Sequence, residues 1–187
     1  MGMWLFLFTE ILLFGGLFLL YSAYLHRYPA AFHEAGKTEN LLLGSANTVI
    51  LIASSFTVAL SITALRLGRT RGCLVFLGLT VALALGFLVN KFFEWSAKFA
   101  AGLYPGSAHM KSLPAGENVF TGLYFAMTGL HGLHVLVGSV LLSVVAALVA
   151  RGRVNAGDFV LLENAGLYWH LVDLIWIFLF PLFYLIA

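Results

Sequence analysis

Charge is what this sequence has least of. Lys, Arg, Asp and Glu together make up 10% of its 187 residues, against about 25% in soluble domains. That is too little polar material to cover a water-soluble globule, and a hydrophobic share of 61% says the same. The formal net charge is only +2, so there is no basic field for nucleic acid and no polybasic membrane-surface patch. One cysteine, Cys73, excludes an internal disulfide and any site built on several thiolates. HxxxH and HExxH spacings, a Gly-rich phosphate loop, a dinucleotide fingerprint and a Ser-His-Asp order are all missing. Zinc-hydrolase, phosphoryl-transfer and dinucleotide chemistry have no footing here.

Long apolar runs are what the sequence does have. Crossing about 30 Å of hydrocarbon takes roughly 20 residues, and five runs qualify: 4–25, 41–65, 72–90, 118–150 and 159–187. In lipid the backbone must pair within its own segment, so each run reads as a helix. The expected fold class is all-α, an integral membrane bundle of five transmembrane helices. It forms a single transmembrane domain over 1–187, with helices at about 3–26, 41–66, 72–99, 117–150 and 158–186. The first run lacks a basic flank and a small-residue cleavage site, so it is expected to persist as a helix and not as a signal peptide. The fourth run, 33 residues long, would be about 50 Å of helix and must tilt or project. Residues 98–117, with Pro105 and Pro114, read as loop. No internal repeat is visible, against an inverted-repeat transporter plan. Arg66, Arg69, Arg71, Arg151 and Arg153 crowd two short turns on one side. Arg27, Lys37, Lys98 and Lys111 are spread over the other side, diluted by Glu34 and Glu39. The positive-inside rule then places the N-terminus in the cytoplasm and the C-terminus outside.

The informative residues are the polar ones inside these runs, because each is costly in lipid and normally faces the bundle interior. In the last run Glu163, Gly166, His170 and Asp173 share one helical stripe, with Trp169 and Trp176 offering indole donors to Asp173. The fourth run carries Thr128, His131 and Gly138 on one face, with His134 a turn beyond and Gly129 and Gly132 beside them. Glycine next to histidine lets a neighbouring helix approach closely enough to hydrogen-bond. Lys91 and Glu94 stand one turn apart and can neutralise each other, with Trp95 as an interfacial anchor. Asn47, Ser54 and Ser61 recur every seven residues as a weakly polar seam. Glu10 lies about two turns into the first run, followed by Gly15 and Gly16. As a set these residues read as interhelical glue. The competing readings are a proton relay, haem ligation through His170 with His131 or His134, and substrate binding.

These same segments carry a family resemblance. Residues 125–135, FAMTGLHGLHV, and 163–178, ENAGLYWHLVDLIWIF, closely resemble the last two helices of subunit III of haem-copper respiratory oxidases. Residues 4–20, WLFLFTEILLFGGLFLL, are similar to that family's helix with a membrane-embedded glutamate. GSANTVI at 44–50 and NKFFEW at 90–95 fit the intervening helices in order. The resemblance covers nearly the whole chain. It implies a non-catalytic integral subunit of a terminal oxidase, with no haem or copper on this chain, both being expected in the partner catalytic subunit I. Other oxidase subunits, membrane lipids and bound phospholipid are the further implied partners, in a bacterial cytoplasmic membrane. By position Glu10 matches the family's buried carboxylate, His131 and His134 the penultimate helix pair, and Glu163, His170 and Asp173 the last helix. Glu10, Asn47, Lys91, Glu94, His131, His134, Glu163, His170 and Asp173 are therefore expected as buried structural or lipid-positioning groups, none catalytic and none metal-binding. Larger family members have seven helices, of which five are recognisable here. Lys91 stands where some relatives carry a glutamate, which makes that turn structural. The alternatives are the similar accessory subunit of nitric oxide reductases and, from a different class, a stand-alone channel or carrier.

Overall fold

The computed structural model describes residues 2–186, with the side chains of Ala108 and Lys111 outside the description. Five long helices carry the chain: α1 (Gly2–Arg27), α3 (Leu41–Arg66), α4 (Thr70–Ala100), α6 (Ala115–Ala150) and α7 (Val160–Pro181). Each is long and apolar enough to cross a membrane, and no strand is named among the described residues. The class is all-α. The last helix ends in a π turn, Leu182–Ile186, as Pro181 removes a backbone donor at that point.

Two short helices interrupt segments that read as loop. α2 (Pro29–Gly36) starts on proline, whose missing N–H is no loss in a first turn. α5 (Ala108–Ser112) is capped by Ser107, whose hydroxyl accepts from the Met110 amide at 3.0 Å. The tight reversals after α3 and α6 each place a glycine at positive φ, Gly68 at 72° and Gly152 at 71°.

The chain divides into two compact units. Unit 1 comprises Met1–Ala46, Asn90–His131 and Ile175–Ala187; unit 2 comprises Asn47–Val89 and Gly132–Leu174. Unit 1 is organised around aromatic rings meeting edge to face. Tyr21 packs on Phe32 and Phe183 at centroid distances of 5.3 and 5.1 Å, and Phe120 joins Phe32 and Phe183 at 5.3 and 5.5 Å. Phe32 is the residue that docks α2. The Tyr21 hydroxyl also donates to the Leu182 carbonyl at 2.5 Å, satisfying a group that the π turn exposes.

Unit 2 is built on a heptad rhythm. The most deeply buried residues on α3 fall at 47, 51, 54, 58, 61 and 65, alternating intervals of four and three. α4 repeats the pattern at Cys73, Leu77, Thr80, Ala84 and Phe87, and α7 at Leu162, Ala165, Trp169 and Val172. This is the spacing of knobs-into-holes seams. The polar seam expected at Asn47, Ser54 and Ser61 is thus half of the α3 packing edge.

Candidate functional site

Unit 1 encloses a closed polar ring. Lys91 and Glu94 lie on one face of α4, and both are buried. The Lys91 ammonium donates to Glu94 Oε2 at 3.1 Å, to the Tyr124 hydroxyl at 3.0 Å and to the Tyr184 hydroxyl at 3.2 Å. Both phenols in turn donate to Glu94 Oε1, each at 2.5 Å. Three ammonium donors, two hydroxyls and both carboxylate oxygens are thereby used, which is what a charge pair needs to persist without water. The ammonium also faces the rings of Tyr124, Trp176 and Tyr184 at 4.9, 5.4 and 5.8 Å. Trp176 lies against the fully buried His131, centroids 5.2 Å apart. The sequence pointed to the Lys91–Glu94 pair but not to Tyr124, Tyr184 or the Trp176 ring over it.

One and two turns further on, the pattern continues toward the end of α4. Lys98 donates to Glu39 Oε1 at 2.6 Å and sits 4.6 Å from the Tyr124 ring centroid. The Glu39 side chain is only 2% exposed. Burial pushes its carboxyl above the usual range, and the Lys98 ammonium opposes that without cancelling it. A raised carboxyl stabilises the fold fully below the unfolded value of about 4.3, and that contribution is lost as pH rises through the folded value. The difference in Tm between wild type and Glu39→Gln, measured on the purified protein, should therefore fall as pH rises from about 4 toward neutrality.

Trp95 packs against α6 within unit 1. Its ring packs on Phe125 at 5.0 Å and closes over Gly129, where an added Cβ would lie 2.9 Å from the indole. Its buried Nε1 has no hydrogen-bond partner among the described residues. The residue acts as a wedge that Gly129 admits.

Unit 2 holds a second polar group along α3 and α7. Ser55 Oγ and His170 Nδ1 are 2.6 Å apart. Trp169 Nε1 donates to Ser54 Oγ at 3.0 Å, and that hydroxyl donates to the Leu51 carbonyl at 2.7 Å. The Ser54 and Ser55 hydroxyls border the Asp173 carboxyl. The Ser54 hydroxyl donates to Leu51 instead, and neither Asp173 oxygen has a partner in good hydrogen-bond geometry among the described residues. The Trp169 indole therefore serves Ser54, and not Asp173 as its spacing suggested. Thr57 and Thr80 add a hydroxyl contact of 2.8 Å between α3 and α4, and the Tyr168 hydroxyl donates to the His134 carbonyl at 3.1 Å.

Glu163 is one of four groups expected as buried that the structure leaves part-exposed. It occupies the first turn of α7 and pairs with Arg66, at the end of α3, with side chains 34% and 54% exposed. A carboxylate in a first helical turn suits the helix dipole. Asn47, Lys91, Glu94, His131 and Asp173 are buried, while Glu10, His134 and His170 are part-exposed.

Among the described residues no group of three or more His, Cys, Asp or Glu could hold a metal ion. Five helices long and apolar enough to cross a membrane define a polytopic membrane protein. Comparison with known sequences makes the assignment specific: the chain belongs to the cytochrome c oxidase subunit III family, whose sequence profile matches residues 1–187. It is 34% identical over 188 residues to cytochrome c oxidase subunit 3 of Thermostichus vulcanus, spanning 100% of this chain and 87% of that protein. It is 27% identical over 191 residues to cytochrome bo(3) ubiquinol oxidase subunit 3 of Pseudomonas aeruginosa, covering 100% of this chain and 84% of the other. A haem-copper oxidase subunit I+III of Aeropyrum pernix is 30% identical over 200 residues, covering 99% of this chain and 22% of its own length. These likenesses favour the oxidase reading over the reductase-accessory and carrier readings.

Proposed function

We propose that this chain is the non-catalytic subunit III of a haem-copper terminal oxidase, in a complex that reduces oxygen in aerobic electron transport. Haem and copper belong to the catalytic subunit I against which it packs, and phospholipid covers part of its apolar exterior. The complex sits in a bacterial cytoplasmic membrane with the N-terminus inside, an orientation that the arginine-rich short turns favour. The fused subunit I+III of Aeropyrum pernix supports the pairing with subunit I. The observation that carries the non-catalytic role is the saturation of the Lys91–Glu94–Tyr124–Tyr184 ring. Its charges are locked onto each other and present nothing to a substrate.

Affinity purification of the tagged chain from its native membrane tests this. A haem-bearing polypeptide should co-elute in fixed ratio, and the chain expressed alone should show no Soret band. A Soret band on the isolated chain, lost in His170→Ala, would overturn the assignment.

A further inference from the structure

On unit 2 an imidazole reaches the outside of the chain at a depth where lipid tails offer it no hydrogen bond. His170 lies in the Val160–Ile186 span, about 15 Å along the helix from its first residue at 1.5 Å per residue. The hydrocarbon core is about 30 Å thick, so the ring stands well inside it. Nδ1 is 2.6 Å from Ser55 Oγ on α3, while Nε2 makes no hydrogen bond among the described residues. Both His170 and Ser55 are part-exposed. Lysine and arginine escape such a position by stretching to the interface, but an imidazole is too short for that. Leu167 and Leu174 are exposed one turn before and one turn after His170 on the same stripe of α7, and Ile52 is exposed a turn from Ser55 on α3. This face is an apolar strip with one unused hydrogen-bonding atom at its centre.

We propose that a transmembrane helix of the haem-bearing catalytic polypeptide docks on this strip and presents one polar side chain to His170 Nε2. The inference rests on the subunit III reading and adds to it a face and a contact. Acyl chains carry no donor or acceptor, and water does not enter the hydrocarbon outside a protein cavity, so a protein segment is what satisfies the atom. A helix is the form such a segment takes, because its own backbone must be paired there too. The catalytic polypeptide is chosen over a second copy of this chain on the pairing that the fused subunit I+III supports. The tautomer sets what the partner offers. Where Nδ1 accepts the Ser55 hydrogen, Nε2 donates and the partner supplies an acceptor; where Nδ1 donates to Ser55, Nε2 accepts and the partner supplies a donor. Ser, Thr, Asn or Gln on the partner helix serves in either case. Leu167, Leu174 and Ile52 then pack on the apolar residues around that side chain.

Two measurements on the complex test this. With Leu174 replaced by the photoreactive p-benzoylphenylalanine and His170 left intact, irradiation of native membranes should join the chain to a membrane-spanning peptide of the haem-bearing polypeptide, identified by mass spectrometry. Adducts with lipid alone, or with a second copy of this chain, would overturn the docking face. If the haem-bearing polypeptide still co-elutes in that case, the subunit III reading stands and only the face is rejected; if it does not, the reading beneath is rejected as well. The second measurement separates the two ring nitrogens. His170→Asn keeps a polar atom for Ser55 but has none at the Nε2 position, whereas His170→Gln places its amide there. Losing one interhelical hydrogen bond in a membrane weakens association about threefold to tenfold. The His170→Asn complex should therefore shed the haem-bearing polypeptide faster by that factor on dilution in detergent, with His170→Gln close to wild type. Shedding at the wild-type rate in His170→Asn, or equally fast shedding in both variants, would overturn the contact at Nε2.

Discussion

Glu94→Ala is expected to be the most damaging single substitution among the polar residues, costing about 5 kcal/mol of stability. The change strands a buried ammonium and removes the acceptor of two phenols at once. Breaking a buried ion pair from one side costs about 3–5 kcal/mol, and each orphaned hydroxyl about 1–3 more, though groups sharing one ring do not add in full. Set against a typical folding stability of about 5–15 kcal/mol, the variant should be recovered in low yield with a much lower unfolding midpoint. The double variant Lys91→Met with Glu94→Leu provides the control. It removes both charges, keeps the volume apolar, and leaves Tyr124 and Tyr184 close enough to hydrogen-bond each other. It should recover most of the lost stability. A double variant as unstable as Glu94→Ala would show that the ring does more than hold α4, α6 and the π turn in register. The Arg66–Glu163 pair gives the opposite case: Arg66→Ala should cost less than about 1 kcal/mol, because both side chains are substantially exposed.

That contrast also separates what the sequence shows from what it hides. The five spans are legible because hydrophobic length alone selects helix in lipid. The α3 seam is legible because Asn47, Ser54 and Ser61 stand out at a seven-residue interval against apolar neighbours. Lys91 and Glu94 are legible because they are one turn apart. Tyr124 and Tyr184 are not, for among seven tyrosines and seventeen phenylalanines nothing local marks the two whose hydroxyls converge from α6 and the π turn. The Lys98–Glu39 pair was hidden for a related reason: its members are 59 residues apart, and each reads as an ordinary loop charge. Glu163 was misplaced because a helical stripe gives direction around the helix but not depth along it. The first turn of α7, and the arginine waiting at the end of α3, decide that depth.

Glycine placement yields the second large effect. Gly138→Ala should destabilise unit 2 by about 2–3 kcal/mol, although alanine is the better helix former by about 1 kcal/mol. An added Cβ at Gly138 would stand 2.8 Å from the Trp169 ring and 3.0 Å from the Tyr168 ring. Neither ring can yield cheaply. The Trp169 indole is held by Ser54 at 3.0 Å, and the Tyr168 hydroxyl by the His134 carbonyl at 3.1 Å. Moving Trp169 would also disturb the Ser54 hydroxyl beside Asp173, so strain at one glycine spreads into the polar group of α3 and α7. Gly122→Ala and Gly132→Ala on the same helix supply the comparison. At neither position would a Cβ meet any heavy atom within 4 Å, so both should leave the unfolding midpoint unchanged or raise it slightly. If Gly138→Ala behaved like those two, the close approach of α7 to α6 would not be what fixes this packing. If it fell as expected, Trp169→Phe in the same background should recover part of the loss, because the smaller ring is freed from Ser54 and can tilt away.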